Sequence, residues 1–257
     1  MPRFAANLSM LFTEVPFTER FTKAAEAGFT GVEYLFPYAW PKEVLISALQ
    51  DSALTQVLFN LPAGDWDAGE RGIACLPDRV DEFRDGVYQA IEYARALGCK
   101  RLNCLAGLKP VDLEEETAWQ TLVANVAWAA DKLADEDITL CVEAINSRVD
   151  MPRFFLDNSD KVMALIEEVD ADNLRLQYDI YHMQIMQGDL VRSMECLLPW
   201  IGHIQFADNP GRHEPGTGEI NFSNVFSAID KMDYDGWVSA EYVPSGVTAE
   251  SLHWLPA

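Results

Sequence analysis

The sequence predicts an α/β fold, a single (β/α)8 TIM barrel spanning residues 1–257. Three observations carry that expectation. A unit recurs along the chain: an amphipathic helix, a turn often holding Gly or Asp, then a short apolar strand ending in a polar residue. Eight such strands can be drawn, and 257 residues with 49% hydrophobic content suit one barrel of this kind. No G-x-G-x-x-G follows the first strand, which removes the main support for a doubly wound open sheet.

The strands fall at 4–7, 31–34, 55–60, 101–104, 139–143, 174–179, 201–205 and 237–241. Between them the apolar residues step by three and four. Val80, Phe83, Val87, Ile91, Ala94 and Leu97 form one such face, and Trp119, Leu122, Val126, Ala129 and Leu133 another. Asn158 or Ser159 is placed to cap a helix carrying Val162, Leu165, Ile166 and Val169. Gly28 and Gly98 follow helical runs, as left-handed C-terminal caps do. Residues 61–78 hold Pro, Gly and Asp with little periodicity. That is long for a connection and points to a functional loop, such as a lid.

Forty-one acidic against nineteen basic residues give a net charge of −22. Such a field repels phosphate backbones and anionic membranes, so neither nucleic acid nor membrane is an expected partner. No apolar run reaches the length of a membrane span, and the first residues carry no secretory pattern. Five cysteines without a C-x-x-C pair read as reduced thiols, so a cytoplasmic location is expected. Cys104 and Cys141 fall inside strands, where an inert buried thiol is the better reading. No G-x-S-x-G and no P-loop are present.

In a TIM barrel the chemistry sits at the C-terminal strand ends. The fifth strand ends in Glu143, the sixth in Asp179, the seventh in Gln205 and the eighth in Glu241. Three carboxylates converging on one point repel unless a cation sits among them or one stays protonated. An all-oxygen set suits Mg2+ or Mn2+ better than Zn2+. The alternative is that these acids point outward and cap the following helices. His182, three residues after Asp179, either reaches a bound substrate or bonds to loop backbone. His203 shares the face of Gln205 and packs one layer deeper. His253 is expected at the surface. Arg212, Arg148 and Lys109 lie just past strands and are candidate contacts for a substrate anion. Glu219 either orients a ligand or caps the next helix.

With these residues in view, the sequence resembles a known group. The opening Arg3-Phe4-Ala5-Ala6-Asn7-Leu8-Ser9-Met10-Leu11-Phe12 belongs to the likeness, as do Val32-Glu33-Tyr34-Leu35-Phe36-Pro37 and Val142-Glu143-Ala144. Gln177-Tyr178-Asp179 with His182, the 202–220 segment and Glu241-Tyr242 complete it. Together they resemble the hydroxypyruvate isomerase family, which includes 2-oxo-tetronate isomerases and lies within the xylose-isomerase-like TIM barrels. The resemblance implies a divalent metal ion, Mg2+ or Mn2+, held by Glu143, Asp179, Gln205 and Glu241. It also implies that Glu143 and Glu241 form the acid/base pair of an aldose–ketose isomerase. The substrate would be hydroxypyruvate or a 2-oxo-tetronate, its carboxylate met by Arg212, Arg148, Lys109 or His182.

Gly202-His203-Ile204-Gln205 departs from the G-H-x-H of the related ketose 3-epimerases and speaks against that activity. A metal-dependent phosphodiesterase fits poorly with four histidines and the acidic field. A non-catalytic metabolite-binding barrel is the remaining alternative. Barrels of this kind often pair through their helical outsides; a homo-oligomer is compatible with the sequence, though no residue demands one.

Overall fold

The computed structural model describes residues 1–256. Eight parallel strands close on themselves in sequence order, β1 pairing with β8. They are β1 (Arg3–Asn7), β2 (Gly31–Glu33), β3 (Thr55–Asn60), β4 (Arg101–Cys104), β5 (Thr139–Glu143), β6 (Leu174–Asp179), β7 (Ile201–Phe206) and β8 (Trp237–Ala240). The helices are α1 (Phe17–Glu26), α2 (Lys42–Asp51), α3 (Val80–Leu97), α4 (Glu115–Ala134), α5 (Ser159–Val169), α6 (Ile180–Met186), α7 (Leu190–Leu197) and α8 (Phe222–Lys231). This is the expected barrel. The strands deviate from expectation only at their ends: Tyr34 and Glu241 lie just beyond β2 and β8. None of the described helices is long and apolar enough to cross a membrane.

The helical periodicities do what their spacing requires. Phe83, Val87, Ile91, Ala94 and Leu97 of α3 are buried against the sheet, as are Leu122, Val126, Ala129 and Leu133 of α4. Gly98 ends α3 at φ 65°, a left-handed cap that a side chain would strain. Of the two candidates at the start of α5, Asn158 is the cap, its side chain accepting from the Lys161 amide. Cys75, Cys99, Cys104 and Cys141 are buried and Cys196 is exposed. Burial pushes each of the four buried thiols up to about 12, so they are poor nucleophiles. His253 is at the surface.

The barrel has two interiors. The layer between sheet and helices is apolar. The lumen is apolar only at its floor, where Ala5, Val57, Leu58, Cys141 and Trp237 pack together. Above that floor it is lined by buried Asn7, Glu33, Asn60, Asn103, Glu143, Gln177, Asp179, His203 and Gln205. Hydrogen bonds between strands that are not neighbours, such as His203 of β7 to Glu33 of β2, cross this lumen. Side chains two apart on a strand share a face, so the inward set alternates with the outward apolar one except at the register shifts beside Val32/Glu33 and Leu176/Gln177.

Gly31 keeps the floor closed. A Cβ there would sit 2.6 Å from Trp237 Cζ3 and 2.7 Å from Val57 Cγ2. Gly31→Ala is therefore expected to lower the urea-unfolding stability by about 1–3 kcal/mol, as overpacking of a core does. An unchanged denaturation midpoint would show that the floor is slack.

Candidate active site

Glu143, Asp179, Gln205 and Glu241 all reach the C-terminal mouth of the barrel and are buried. They do not point outward to cap helices, with one qualification. Asp179 Oδ1 accepts from the Tyr181 and His182 amides at 2.7 and 3.3 Å, so it also caps α6. Its other oxygen, Oδ2, is buried and has no hydrogen-bond partner among the described residues. Glu143 Oε2 accepts from Asn103 Nδ2 at 3.0 Å, and that amide also donates to Asn60 Oδ1 at 3.1 Å. Glu241 Oε1 accepts from Asn7 Nδ2 at 2.9 Å, and its Oε2 accepts from Arg212 Nη2 at 2.8 Å. Gln205 donates to Glu33 Oε1 at 2.7 Å and accepts from Gln177 Nε2 at 2.6 Å.

Arg212 is set by its loop. Buried Asp208 accepts from the amides of Asn209, Gly216, Gly218 and Ile220 and so folds the 207–221 segment around itself. Arg212 adopts φ 57° within it and carries its guanidinium inward, 3.8 Å from Asp179 Oδ2 and 5.2 Å from the Tyr181 ring centroid. Only 16% of this side chain is exposed. Glu219, by contrast, accepts from Gln184 and Asn209 on the surface and touches neither the cavity nor the start of α8, which Asn221 caps.

His182 has a fixed tautomer. Asn146 Oδ1 is occupied by the Val149 and Asp150 amides, so its NH2 must face outward. That NH2 lies 2.7 Å from His182 Nδ1, which therefore accepts, leaving the proton on Nε2. Nε2 stands 3.5 Å from Asp179 and 3.9 Å from Glu143. Burial, reinforced by the nearby Arg212 charge, holds His182 well below its ordinary value. It is thus a neutral donor facing the cavity, not a loop histidine bound to backbone.

The carboxylates are electrostatically overloaded. Burial, then Glu241 and Asp179, push Glu143 well above the carboxylate range. Burial raises Asp179 despite Arg212, and raises Glu241 to about 8. Deeper in the lumen Glu33 behaves oppositely. Burial works against its charge, but the His203 charge and the bonds from His203 and Gln205 hold it below its ordinary value. Arg212 is pulled the other way: burial opposes its charge, and Glu241 and Asp179 more than compensate.

Three buried carboxylates thus face one guanidinium. The oxygens of Glu143 and Asp179 and a nitrogen of His182 lie within 4.8 Å of one another. Asp179 Oδ2 has no hydrogen-bond partner among the described residues, and the three carboxylates outnumber the guanidinium beside them. The carboxylate oxygens fit a hard divalent ion, while the His182 nitrogen carries its proton and is not a ligand.

Glu143, Gln205, Glu241, His182 and Arg212 line one cavity of about 60 Å3 with Asn7, Tyr34, Asn60, Trp66, Gln177 and apolar residues of the loops. Arg148 and Lys109 do not line it. Arg148 is exposed and donates to Ile185 O at 2.7 Å, and Lys109 donates to the carbonyls of Pro110 and Leu113. Lys109 is spent on its own loop and Arg148 on the backbone of α6. The 61–78 segment contributes Trp66 to the cavity wall and is pinned by Glu70 to Arg79. Strand ends five to eight alone miss Asn7, Glu33, Asn60 and Asn103. The ends of the first three strands are Asn7, Glu33 and Asn60, and Asn103 lies one residue before the end of β4.

A family model described as a xylose isomerase-like TIM barrel matches residues 21–257. Hydroxypyruvate isomerase of Escherichia coli (strain K12) is 52% identical over 255 residues, covering 99% of this chain and 98% of that protein. A 2-oxo-tetronate isomerase of Cupriavidus necator is 45% identical, with 99% and 98% covered. Among solved structures, one titled AP endonuclease, family 2, from Brucella melitensis is 47% identical, with a TM-score of 0.96 over 99% of this chain and 98% of that one.

Proposed function

The chain belongs to the hydroxypyruvate isomerase family of xylose isomerase-like TIM barrels and is an isomerase, and from that premise we propose that it interconverts hydroxypyruvate and tartronate semialdehyde, or a four-carbon 2-oxo-tetronate pair, by proton transfer between adjacent carbons. The observation that carries this reading is the convergence of Glu143, Glu241 and Arg212 on one small cavity, with Asp179 3.8 Å from Arg212. A water needs roughly 10–15 Å3 of such space, so about 60 Å3 suits an acid of three or four carbons better than a hexose. That favours this reading over a ketose 3-epimerase. The endonuclease title of the Brucella structure is not carried over, because a net charge of −22 repels a phosphate backbone.

Glu143, Asp179, Gln205 and Glu241 would hold the divalent ion, Mg2+ or Mn2+. Once bound, it supplies positive charge for the developing enediolate. The chain's own residues do the rest. Glu143 and Glu241 approach from β5 and from just beyond β8. One carboxylate takes the proton from the carbon beside the carbonyl, and it or its counterpart returns a proton to the neighbouring carbon. Asn103 fixes Glu143 by one oxygen and leaves the other for the substrate or ion, while Glu241 is held by Asn7 at one oxygen and by Arg212 at the other. His182 Nε2–H donates to a substrate oxygen without contributing charge of its own. Burial of the whole set excludes water that would quench the carbanion.

Arg212 is the one permanent cation among the cavity-lining residues, and it meets the substrate carboxylate. Arg212→Met is expected to raise KM for hydroxypyruvate about 10- to 100-fold, the worth of one charge-assisted bond. An unchanged KM in initial-rate assays would remove Arg212 from substrate binding. The activity itself is tested by turnover of hydroxypyruvate and of 2-oxo-tetronate with Mg2+, with Mn2+ and with EDTA. No turnover of either acid under any of these conditions would overturn the assignment.

A further inference from the structure

The lumen beneath the cavity contains a directed chain of amides. Glu33 Oε1 accepts from Asn7 Nδ2 at 3.1 Å and from Gln205 Nε2 at 2.7 Å, and its Oε2 is 2.6 Å from His203 Nε2. The Ser9 amide on Asn7 Oδ1 turns the Asn7 NH2 toward Glu33, so Glu33 Oε1 stands as an acceptor for the amides that reach it. The Gln205 NH2 must therefore face Glu33, which turns Gln205 Oε1 toward Gln177. That oxygen in turn demands the Gln177 NH2, found at 2.6 Å. Gln177 is then left with its own Oε1 directed away from the chain. This atom is buried and has no hydrogen-bond partner among the described residues. Gln177 lines the cavity and lies in register beside Glu143.

A buried carbonyl without a donor is costly unless a ligand brings one. Its neighbours cannot help. No donor among the described residues reaches it, and Gln205 has turned its oxygen the same way. What the position lacks is a hydroxyl hydrogen. We propose that Glu33 is a positioning residue that polarises the Gln205–Gln177 amide chain, so that Gln177 Oε1 accepts a hydrogen bond from a hydroxyl of the bound substrate. The identity of that hydroxyl rests on the proposed function. The direction of the chain does not, because it follows from the amide donors that converge on Glu33 Oε1.

The test is a double-mutant cycle on the affinity of D-glycerate, a hydroxy acid without a carbonyl, measured by calorimetry with Mn2+ present. Gln177→Met keeps the side-chain length and removes the acceptor; it is expected to weaken glycerate about 10-fold. Glu33→Gln lets both amides reverse and presents NH2 to the cavity; it is expected to weaken glycerate by a similar factor. In the Gln177→Met background, Glu33→Gln is expected to add less than about 3-fold, since the chain no longer ends in an acceptor. Equal effects of Glu33→Gln in both backgrounds would show that it acts only on general stability, and would overturn the chain. A Gln177→Met variant that binds glycerate as the wild type does, or that loses Mn2+ affinity instead, would overturn the role of Gln177. If Glu33→Gln does not fold, Glu33→Asp, which draws the carboxylate back from Gln205, takes its place in the cycle with the same expected outcomes. Wild-type turnover of hydroxypyruvate is measured in parallel, so failure of the isomerase reading is seen separately from failure of the chain.

Discussion

Glu143→Gln is expected to lower kcat by about 100- to 10,000-fold, the usual contribution of a positioned general base or acid. The amide is isosteric and retains an oxygen for Asn103 Nδ2, so the local geometry survives. Stability should move the other way. Glu143 is held well above its ordinary range by burial and by Glu241 and Asp179, which makes its charge a liability in the metal-free fold. Removing that charge should leave the Tm of the EDTA-treated protein unchanged or higher. The sign of the two effects together separates a catalytic role from a packing role: a residue that merely packs loses both. Glu241→Gln should cost a similar factor in kcat, without the gain in Tm, because Arg212 then loses its 2.8 Å partner. Near-wild-type kcat in both variants would end the assignment of these two glutamates.

Removal of divalent ions is expected to have the second largest effect. EDTA should reduce turnover to roughly a hundredth or less, and Mg2+ or Mn2+ should restore it, since the ion supplies several kcal/mol of transition-state charge stabilisation. The same site also sets a pH dependence in the metal-free protein. The Glu241 carboxyl is raised from 4.5 to about 8 in the fold. A raised group contributes stability that is complete below its unfolded pKa and is lost as pH climbs through its folded pKa. Metal-free Tm should therefore fall between about pH 4.5 and about pH 8, with Glu143 and Asp179 adding in the same direction. A bound ion favours the ionised carboxylates and should flatten that slope. Glu33, Asp157 and Glu70 are lowered instead, so they give the opposite slope at pH values below about 4.5. Differential scanning fluorimetry across this range, with EDTA and with Mg2+, reads both slopes. A Tm that is flat in EDTA between about pH 5 and about pH 8 would contradict the crowding of charge described for this site.

The barrel was legible because its signals are local and repeated. Helical faces such as Phe83–Leu97 and the cap at Gly98 are written in spacing and residue type, and eight of them in alternation leave few folds. Strand ends were legible for the same reason: side-chain direction alternates, so Glu143, Asp179, Gln205 and Glu241 reach one mouth as soon as the barrel is drawn. What the sequence hid depends on contacts between distant segments. Lys109 and Arg148 follow strands just as Arg212 does, yet only Arg212 turns inward, because Asp208 gathers four amides of its loop and aims it. The tautomer of His182 is fixed by Asn146, thirty-six residues away. The lumen network of Asn7, Glu33, Gln177 and Gln205 joins β1, β2, β6 and β7, and no window of sequence contains it.

Deuterium wash-in at the carbon-bound positions of hydroxypyruvate in D2O, followed by 1H NMR against a protein-free control, tests most directly whether these strand ends act as one proton-transfer centre. The expected result is exchange above the control that requires Mg2+ or Mn2+, stops with EDTA and is lost in Glu143→Gln. Ion-loaded wild-type protein that exchanges no faster than the control would contradict it.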